Sequence, residues 1–278
     1  MKERLLRIKE LLAKSAEQLR EVTDIPQKEA MILLSEVLGC EMSWLLSHSD
    51  DEISVNERFT EFLKRRVSHE PLEYILGRAS FYGREFDVDA RVLIPRPETE
   101  ILVDKALELA KELSPHAHIV EIGCGSGIIS IMLALLLPNA RFTAVDISSE
   151  ALHVSRDNAK KQGVSERITF VEGSYLDGVS GEIDMIVSNP PYIADAESLG
   201  IGLSYEPSLA LYGGYRGDEM LCHIIDLFVT RGVKALACEM GYDQRQSISV
   251  YAKSKGLEVA FYKDLAKLDR GFWIKEKR

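Results

Sequence analysis

The second half of the chain alternates short apolar runs with longer stretches whose apolar residues recur every three to four positions. The short runs predict strands, and the longer stretches predict helices. The predicted strands are residues 118 to 122, 141 to 146, 168 to 172, 183 to 188, 233 to 238, 257 to 262 and 270 to 275. The predicted helices are 128 to 137, 149 to 162, 217 to 230 and 243 to 254. This alternation predicts an α/β fold with a mostly parallel, seven-stranded sheet.

The first 77 residues instead predict a small helical bundle. Apolar residues at helical spacing indicate a first helix: Leu5, Leu6, Ile8, Leu12 and Leu19. A second helix is expected to begin with Asp24 as its cap and Pro26 in its first turn, and to stop at Gly39. A third, short helix follows Ser43, and a fourth runs from residue 54 toward residue 68.

Between the two patterns, residues 78 to 95 predict a hairpin that links them, because Phe81, Phe86 and Val88 alternate around Gly83. Another helix then opens near Pro97 and runs to about residue 113. The predicted organisation is a helical domain over residues 1 to 77, the linker, and a second domain over residues 96 to 278.

A Pro-rich tetrapeptide, Asn189-Pro190-Pro191-Tyr192, follows one of the predicted strands directly. An amide or exocyclic amine nitrogen is a poor nucleophile because its lone pair is delocalised, so an enzyme must hold both hydrogens and aim the nitrogen. The Asn189 side-chain oxygen and the Pro190 carbonyl can each accept one N–H. Tyr192 offers a flat face, and the prolines fix the backbone. An ordinary turn is the alternative interpretation.

A Gly-rich segment between a strand and a helix predicts a ligand-binding turn. Its glycines, Gly123, Gly125 and Gly127, let the backbone approach a ligand closely. The spacing differs from that of dinucleotide-binding turns, and Ile128 stands where a P-loop needs its Lys. Asp146 ends the next strand, where a carboxylate can accept both ribose hydroxyls. A nucleoside without a pyrophosphate, such as S-adenosylmethionine, fits this pattern better than NAD.

Composition narrows the class of protein. The 278-residue chain has 46% hydrophobic residues and a formal charge of -10, which disfavours a nucleic-acid substrate because phosphate binding calls for basic surface. Its four cysteines form no C-x-x-C pair, and His116 and His118 have no third ligand nearby, so no metal site is predicted. The sequence predicts a cytoplasmic protein without a signal peptide or membrane span. A monomer is expected because no heptad run is present.

Several further motifs extend over nearly the whole chain. They are Pro71-Leu72-Glu73-Tyr74-Ile75-Leu76-Gly77, Ile94-Pro95-Arg96-Pro97-Glu98-Thr99-Glu100, Glu206-Pro207-Ser208-Leu209-Ala210-Leu211, the Gly213-Gly214 and Gly217 turn, and Glu239-Met240-Gly241. Together with the tetrapeptide they resemble the peptide chain release factor glutamine methyltransferases (the PrmC/HemK family). The resemblance implies a Rossmann-like class I methyltransferase fold that uses S-adenosylmethionine and releases S-adenosylhomocysteine.

The resemblance also implies roles for individual residues. Asp146 would hold the ribose, Tyr175 would lie near adenine, and Asn189 would border both cofactor and substrate. Glu121 is either a ligand of the methionine ammonium or a plain strand-end carboxylate. Thr99 is expected to border the cofactor, and Arg96 either borders it as well or has a surface or capping role. The loop residues beneath the methionine part of the cofactor would be Gly123, Cys124, Gly125, Ser126 and Gly127.

The implied substrate is the glutamine of the Gly-Gly-Gln loop of release factors, which act in translation termination. Asn189, Pro190 and Tyr192 would be the catalytic residues, and all four residues of the tetrapeptide, including Pro191, would bind the substrate. The nitrogen would attack the sulfonium methyl in line, and alignment would supply most of the catalysis. The first 77 residues would recognise the release factor.

Three alternatives stay open at this point. The first is a glutamine methyltransferase that acts on a ribosomal protein. The second is a nucleic-acid adenine methyltransferase, which needs the same amine geometry but fits the acidic chain poorly. The third is a non-catalytic cofactor-binding module, against which the intact Asn189 argues.

Overall fold

The computed structural model describes residues 5–276, which form two compact units. The smaller unit contains the residues up to Gly77 together with Gly200–Tyr205, and the larger unit contains Arg78–Leu199 and the chain from Glu206 onward. A six-residue segment that follows the tetrapeptide in sequence therefore belongs to the smaller unit.

The smaller unit is mainly helical, as predicted. Its helices bury an apolar cluster that includes Leu33, Leu45 and Phe59. Tyr205, from the later segment, donates a 2.7 Å hydrogen bond to the Ser68 carbonyl. The elements in chain order are β1 (Leu5–Arg7), α1 (Ile8–Leu19), α2 (Pro26–Leu38), α3 (Met42–Ser47), β2 (Glu52–Ser54), α4 (Glu57–Val67) and α5 (Leu72–Leu76).

Two predictions about helix starts in this unit were wrong. Leu5 and Leu6 lie in β1, which pairs antiparallel with β2, so the first helix begins at Ile8 and the fourth cannot begin at residue 54. The fourth helix starts at Glu57, where the Asn56 side chain accepts the Arg58 N–H at 2.7 Å.

The second helix confirms part of its prediction. Pro26 occupies its first turn and Gly39 ends it with a φ of 64°, a conformation that glycine adopts at no steric cost. Asp24 does not cap it, because the helix begins after Ile25 and no side chain makes the capping bond. Helix α5, between Pro71 and Gly77, was not predicted.

The larger unit confirms the predicted α/β architecture. Residues of the predicted hairpin form β3 and β4, and the helix after Pro97 ends at Ala110, short of its predicted end. The elements are β3 (Arg78–Phe81), β4 (Arg84–Asp87), α6 (Thr99–Ala110), β5 (His118–Ile122), α7 (Ile128–Leu136), β6 (Arg141–Asp146), α8 (Ser149–Lys161), β7 (Ile168–Glu172), β8 (Met185–Ser188), β9 (Ile193–Ala194), β10 (Tyr212–Gly214), α9 (Glu219–Thr230), β11 (Ala235–Glu239), α10 (Arg245–Ser254), β12 (Val259–Lys263) and β13 (Asp269–Lys275).

Seven strands make one sheet in the order β12-β13-β11-β8-β5-β6-β7. Six of them run in the same direction, and β13 runs antiparallel to both of its neighbours, β12 and β11. Buried apolar residues cover both faces of the sheet, as a two-sided parallel sheet requires. The chain leaves β5 toward β6 on one side and returns to β8 on the other, and ligands of such sheets bind at this switch point.

The hairpin is fixed to the larger unit by a buried asparagine. Asn158 on α8 accepts the Asp87 N–H at 2.7 Å and donates to the Asp87 carbonyl at 3.0 Å. The same amide group donates to the carbonyl of Ser126 in the Gly-rich turn at 3.0 Å. One side chain therefore ties β4 to the loop that follows β5.

Candidate functional site

A cavity opens at the carboxyl ends of β5, β6 and β8 in the larger unit. The Gly-rich turn, the start of α6 and the tetrapeptide contribute to its wall. Of the residues singled out from the sequence, those that line it are Arg96, Thr99, Glu121, Gly123, Cys124, Gly125, Ser126, Asp146, Tyr175, Asn189 and Pro191. Gly127, Pro190 and Tyr192 lie outside its lining.

The Gly-rich turn needs its glycines for backbone conformation and for space. Gly123, Gly125 and Gly127 have φ values of 71°, 53° and 80°, which L side chains rarely adopt. A Cβ on Gly127 would stand 2.2 Å from the Ser155 Oγ, so this position lacks the room for one as well. Gly127 thus acts from beneath, at the start of α7, by letting the turn lie against α8.

Asp146 holds this turn in place. Its Oδ2 accepts the Gly125 N–H at 2.8 Å and its Oδ1 accepts the Ser148 N–H at 2.9 Å. Burial raises the pKa of Asp146, and the backbone hydrogen bonds from Ser148 and Gly125 oppose that effect. Each carboxylate oxygen keeps a second lone pair that can accept a hydroxyl.

Glu121 is the most unusual acid in the cavity wall. Its side chain is 1% exposed, and its Oε2 accepts the Ser130 N–H at 2.8 Å. Its Oε1 is buried and has no hydrogen-bond partner among the described residues. Burial raises the pKa of Glu121 to about 8, and the nearby Asp146 adds to the shift. A buried acceptor without a donor is costly, so this oxygen is suited to a cationic or N–H-bearing ligand.

Tyr175 follows β7 and forms another part of the wall. It has a φ of 55°, an uncommon conformation for a residue that is not glycine. Its ring meets the His223 ring edge-on, with the ring centroids 4.2 Å apart. Strained residues of this kind cluster at ligand sites, and a half-buried ring beside the cavity can pack against a planar group.

The tetrapeptide is held by very close backbone contacts. A Cβ on Gly213 would lie 2.4 Å from the Pro191 carbonyl oxygen, and one on Gly217 would lie 2.5 Å from that of Tyr192. Gln244 donates to the same Tyr192 oxygen at 2.9 Å. The Gly213–Gly217 turn and Gln244 therefore fix the backbone that presents Asn189.

A hydrogen-bonded network lies behind Asn189. Its Nδ2 donates to Thr99 Oγ1 at 3.1 Å, and the Thr99 hydroxyl donates to Glu239 Oε2 at 2.7 Å. Tyr192 donates to the other Glu239 oxygen at 3.3 Å. Glu239 is 1% exposed, and burial raises its pKa to about 7 against the opposing influence of Thr99 and Arg270.

Arg96 serves two purposes. It lines the cavity, and it also forms an ion pair with Glu206, whose side chain is buried. Glu206 accepts the Ile94 N–H as well, at 3.0 Å. Two sequence motifs that are more than one hundred residues apart are thereby joined at the rim of the cavity.

Sequence reasoning missed the network around Glu239 and the anchoring role of Asn158. The available signals were a glutamate at the end of an apolar strand and an asparagine on the apolar face of a helix. His118, by contrast, is a buried structural residue, bonded to Thr143 Oγ1 at 2.8 Å and to the Glu182 carbonyl at 2.9 Å. Within residues 5–276 there is no His, Cys, Asp and Glu cluster suited to a metal, and no helix long and apolar enough to cross a membrane.

Sequence comparisons match both units. Residues 10–77 match the PrmC N-terminal domain, and residues 98–202 match the methyltransferase small domain. A release factor glutamine methyltransferase of Chlorobaculum tepidum is 39% identical over 264 residues, which cover 89% of this chain and 90% of that protein. A bifunctional methyltransferase of Rickettsia felis is 34% identical over 93% of this chain, which spans only 56% of that longer protein.

Comparison with solved structures adds a likeness of fold. The N-terminal domain of human METTL16 in complex with SAH superposes with a TM-score of 0.53 at 16% sequence identity, covering 82% of this chain and 86% of that one. At this identity the likeness concerns the fold alone.

Proposed function

The chain belongs to the release factor glutamine methyltransferase family, and we propose that it transfers a methyl group from S-adenosylmethionine to the side-chain amide nitrogen of a glutamine in a peptide chain release factor. The class I methyltransferase fold expected of that family is confirmed. The proposed target is the glutamine of the Gly-Gly-Gln loop, because an exposed loop of small residues can enter a cavity.

The observation that carries the proposal is the meeting of two complementary groups in one cavity. Glu121 offers an unpartnered buried oxygen, and Asn189 offers a carboxamide whose nitrogen is already engaged by Thr99. The first suits a positively charged amino acid group, and the second leaves its oxygen to accept an N–H. An amino-acid-bearing cofactor and an amide substrate are the pair that satisfies both.

The residues present fit S-adenosylmethionine. Glu121 would accept the ammonium of its methionine part, and Asp146 would accept ribose hydroxyls with its remaining lone pairs. Tyr175 would pack against the adenine. Gly123, Cys124, Gly125 and Ser126 would face the methionine part, while Gly127 would allow the turn to lie close to α8.

The cofactor supplies an electrophilic methyl group when it is bound. Asn189 and the Pro190 carbonyl would accept the two N–H bonds of the glutamine amide and so aim its nitrogen. As positive charge develops on that nitrogen, both acceptors stabilise it. No strong general base is needed, because the nitrogen loses its extra proton to water after the methyl group has been transferred. Pro191 and Tyr192 would complete the substrate site, and alignment supplies most of the rate enhancement.

The remaining parts of the proposal concern the partner and its setting. The smaller unit, which matches the PrmC N-terminal domain, would recognise the release factor. The formal charge of -10 supports a protein substrate over a nucleic acid. We place the enzyme in the cytoplasm as a monomer that needs no metal.

The test is transfer of a radiolabelled methyl group from S-adenosylmethionine to a purified release factor. The same factor with its Gly-Gly-Gln glutamine changed to alanine, and tRNA, are assayed in parallel. The proposal predicts label on the intact factor alone. Label on tRNA, label that survives loss of the glutamine, or no transfer to any of them would overturn it.

A further inference from the structure

The side chain of an asparagine can accept a hydrogen bond from an amide substrate only if its oxygen, and not its NH2 group, faces the substrate. Its oxygen and nitrogen are nearly equal in size, so packing alone does not distinguish the two orientations. Hydrogen-bond partners must do so. In this protein the partner of Asn189 is Thr99, which is itself 1% exposed.

Thr99 alone would not decide the orientation, because a hydroxyl can either donate or accept. Glu239 removes that freedom. Its carboxylate has only acceptors, and Thr99 donates to one of its oxygens at 2.7 Å while Tyr192 donates to the other at 3.3 Å. With its single hydrogen committed to Glu239, Thr99 can only accept from Asn189, and the group that faces it must be the NH2.

Resting on the proposed function, we infer that Glu239 acts through Thr99 as a positioning residue for Asn189, holding the carboxamide with its oxygen toward the substrate amide. Glu239 itself lies behind the cavity wall and does not line it. Tyr192 shares the same carboxylate, so one buried acid orients two side chains of the tetrapeptide.

Protonation of Glu239 would undo this arrangement. When the Oε2 of Glu239 carries the acid hydrogen, it donates that hydrogen to Thr99, and the Thr99 hydrogen is then free to turn toward Asn189. The carboxamide would then present its oxygen to Thr99 and its NH2 to the substrate. Two donors would face each other, so turnover falls as the acid form accumulates.

The surroundings of Glu239 place this change in an accessible pH range. Burial raises the pKa of Glu239 to about 7, and the charge of Glu98 contributes to this rise. Arg270 on β13 and the hydrogen bonds from Thr99 and Tyr192 oppose it. Tyr262 on β12 also interacts with this carboxylate, and burial keeps the pKa of Tyr262 well above 10. Glu239 is therefore the member of this group that changes charge near neutrality.

The test compares Thr99→Val, which keeps the shape and removes the hydroxyl, with Thr99→Ser, which keeps the hydroxyl. At saturating cofactor we expect Thr99→Val to lower kcat by about 100-fold, as a misplaced catalytic group does, and to abolish the fall of kcat on the acid side. Thr99→Ser should retain a kcat close to that of the wild type and the fall of kcat on the acid side. Thr143→Val is the matched control and should leave kcat unaffected. It makes the same change at a buried threonine on β6 whose hydroxyl is bonded to His118.

A kcat for Thr99→Val that equals that of the wild type, or an acid limb that persists in it, would overturn the inference. Should Thr99→Val fail to fold, Glu239→Gln decides the matter, because a carboxamide offers one acceptor oxygen to two donors and does not titrate. The inference predicts for it a lower kcat without the acid limb, and a wild-type profile would refute the inference.

A second readout needs no turnover and separates this inference from the proposed function. In protein labelled with 15N at asparagine, the side-chain NH2 signals of Asn189 are identified by their loss in Asn189→Ala. They should shift with a midpoint at pH about 7 in the wild type and not in Thr99→Val or Glu239→Gln. Absence of that shift in the wild type would contradict the inference even if methyl transfer occurs, and its presence would support it even if release factor is not the substrate.

Discussion

Two buried glutamates lie near the carboxyl ends of the two parallel strands that flank β8, and the structure uses them in opposite ways. Glu121 on β5 and Glu239 on β11 are each 1% exposed. One oxygen of Glu121 has no partner among the described residues, whereas both oxygens of Glu239 accept hydrogen bonds from side chains. Burial raises the pKa of both acids, to about 8 for Glu121 and about 7 for Glu239.

The difference shows how partners, rather than residue type or burial, decide what a buried acid does. A buried acceptor that lacks a donor is a cost in the free protein that a ligand can remove. Glu121 is therefore suited to contact the cofactor. An acid whose oxygens are already engaged can affect a ligand only through its neighbours, and for Glu239 those neighbours include the side chain that orients Asn189.

The largest effect is expected from Asn189→Ala, the change at the side chain oriented through Glu239. Removing the group that we propose receives the substrate amide should lower kcat by at least about 100-fold, the cost of losing one preorganised hydrogen-bonding group. Cofactor affinity should stay close to that of the wild type. Single-turnover kinetics and calorimetric titration with S-adenosylhomocysteine measure the two quantities, and an unchanged kcat would remove Asn189 from the mechanism.

On the cofactor side, the corresponding change is Glu121→Gln. It keeps the shape but cannot ionise when an ammonium binds, so it should weaken S-adenosylhomocysteine binding by about 10- to 100-fold, the range for a hydrogen bond to a charged group. Glu172→Gln is the control, because Glu172 lies at the carboxyl end of β7 in the same sheet but is exposed. Equal affinity for Glu121→Gln and wild type would show that the unpartnered oxygen does not meet the cofactor.

A substitution in the Gly-rich turn can test the proposed cofactor site without altering any charge. Gly127→Ala combines a φ of 80° with a Cβ 2.2 Å from Ser155 Oγ, whereas Gly163→Ala has a similar φ of 75° and open space around it. The control should cost about 1 to 2 kcal/mol of unfolding free energy, the penalty for left-handed backbone alone. Gly127→Ala should cost more and weaken cofactor binding. Equal losses in chemical denaturation would mean that the approach to α8 is unimportant.

The smallest predicted effect is on stability as a function of pH. Both glutamates have folded-state pKa values above the ~4.3 of an unfolded glutamate, so folding favours their protonated forms. The stability this adds is complete below about pH 4 and is lost as pH rises through 7 and 8. Glu121→Gln should remove on the order of 1 kcal/mol of the decline in unfolding free energy between neutral and mildly alkaline pH. An identical decline in wild type and variant would contradict the raised pKa of Glu121.

The sequence was a good guide wherever one local rule decided the structure. Periodicity located the strands and helices of the larger unit, and Pro26 and Gly39 bounded a helix because each has a backbone preference of its own. It failed for Leu5 and Leu6, whose spacing fits a helix but whose backbone pairs with residues 52–54. Pairing of that kind depends on partners 49 and 47 residues away, Ser54 and Ile53, and local spacing does not reveal them.

The candidate site divides in the same way. The sequence predicted Asp146, the Gly-rich turn and Asn189 as site residues. Each lies at the carboxyl end of a strand, which is the edge of the sheet where ligands bind. The roles of Thr99 and Glu239 depend on a contact across 140 positions of the chain. Only the fold brings that hydroxyl and that carboxylate together, and only their donors and acceptors reveal which way Asn189 faces.

Proton release on cofactor binding tests the contrast between the two glutamates most directly. Calorimetric titrations with S-adenosylhomocysteine at pH 7, in buffers of different ionisation enthalpy, count the protons released. The account predicts release by the wild type and by Glu239→Gln, because an ammonium bound at Glu121 would ionise that acid, and loss of the release in Glu121→Gln. Release that survives in Glu121→Gln, or that disappears in Glu239→Gln, would contradict it.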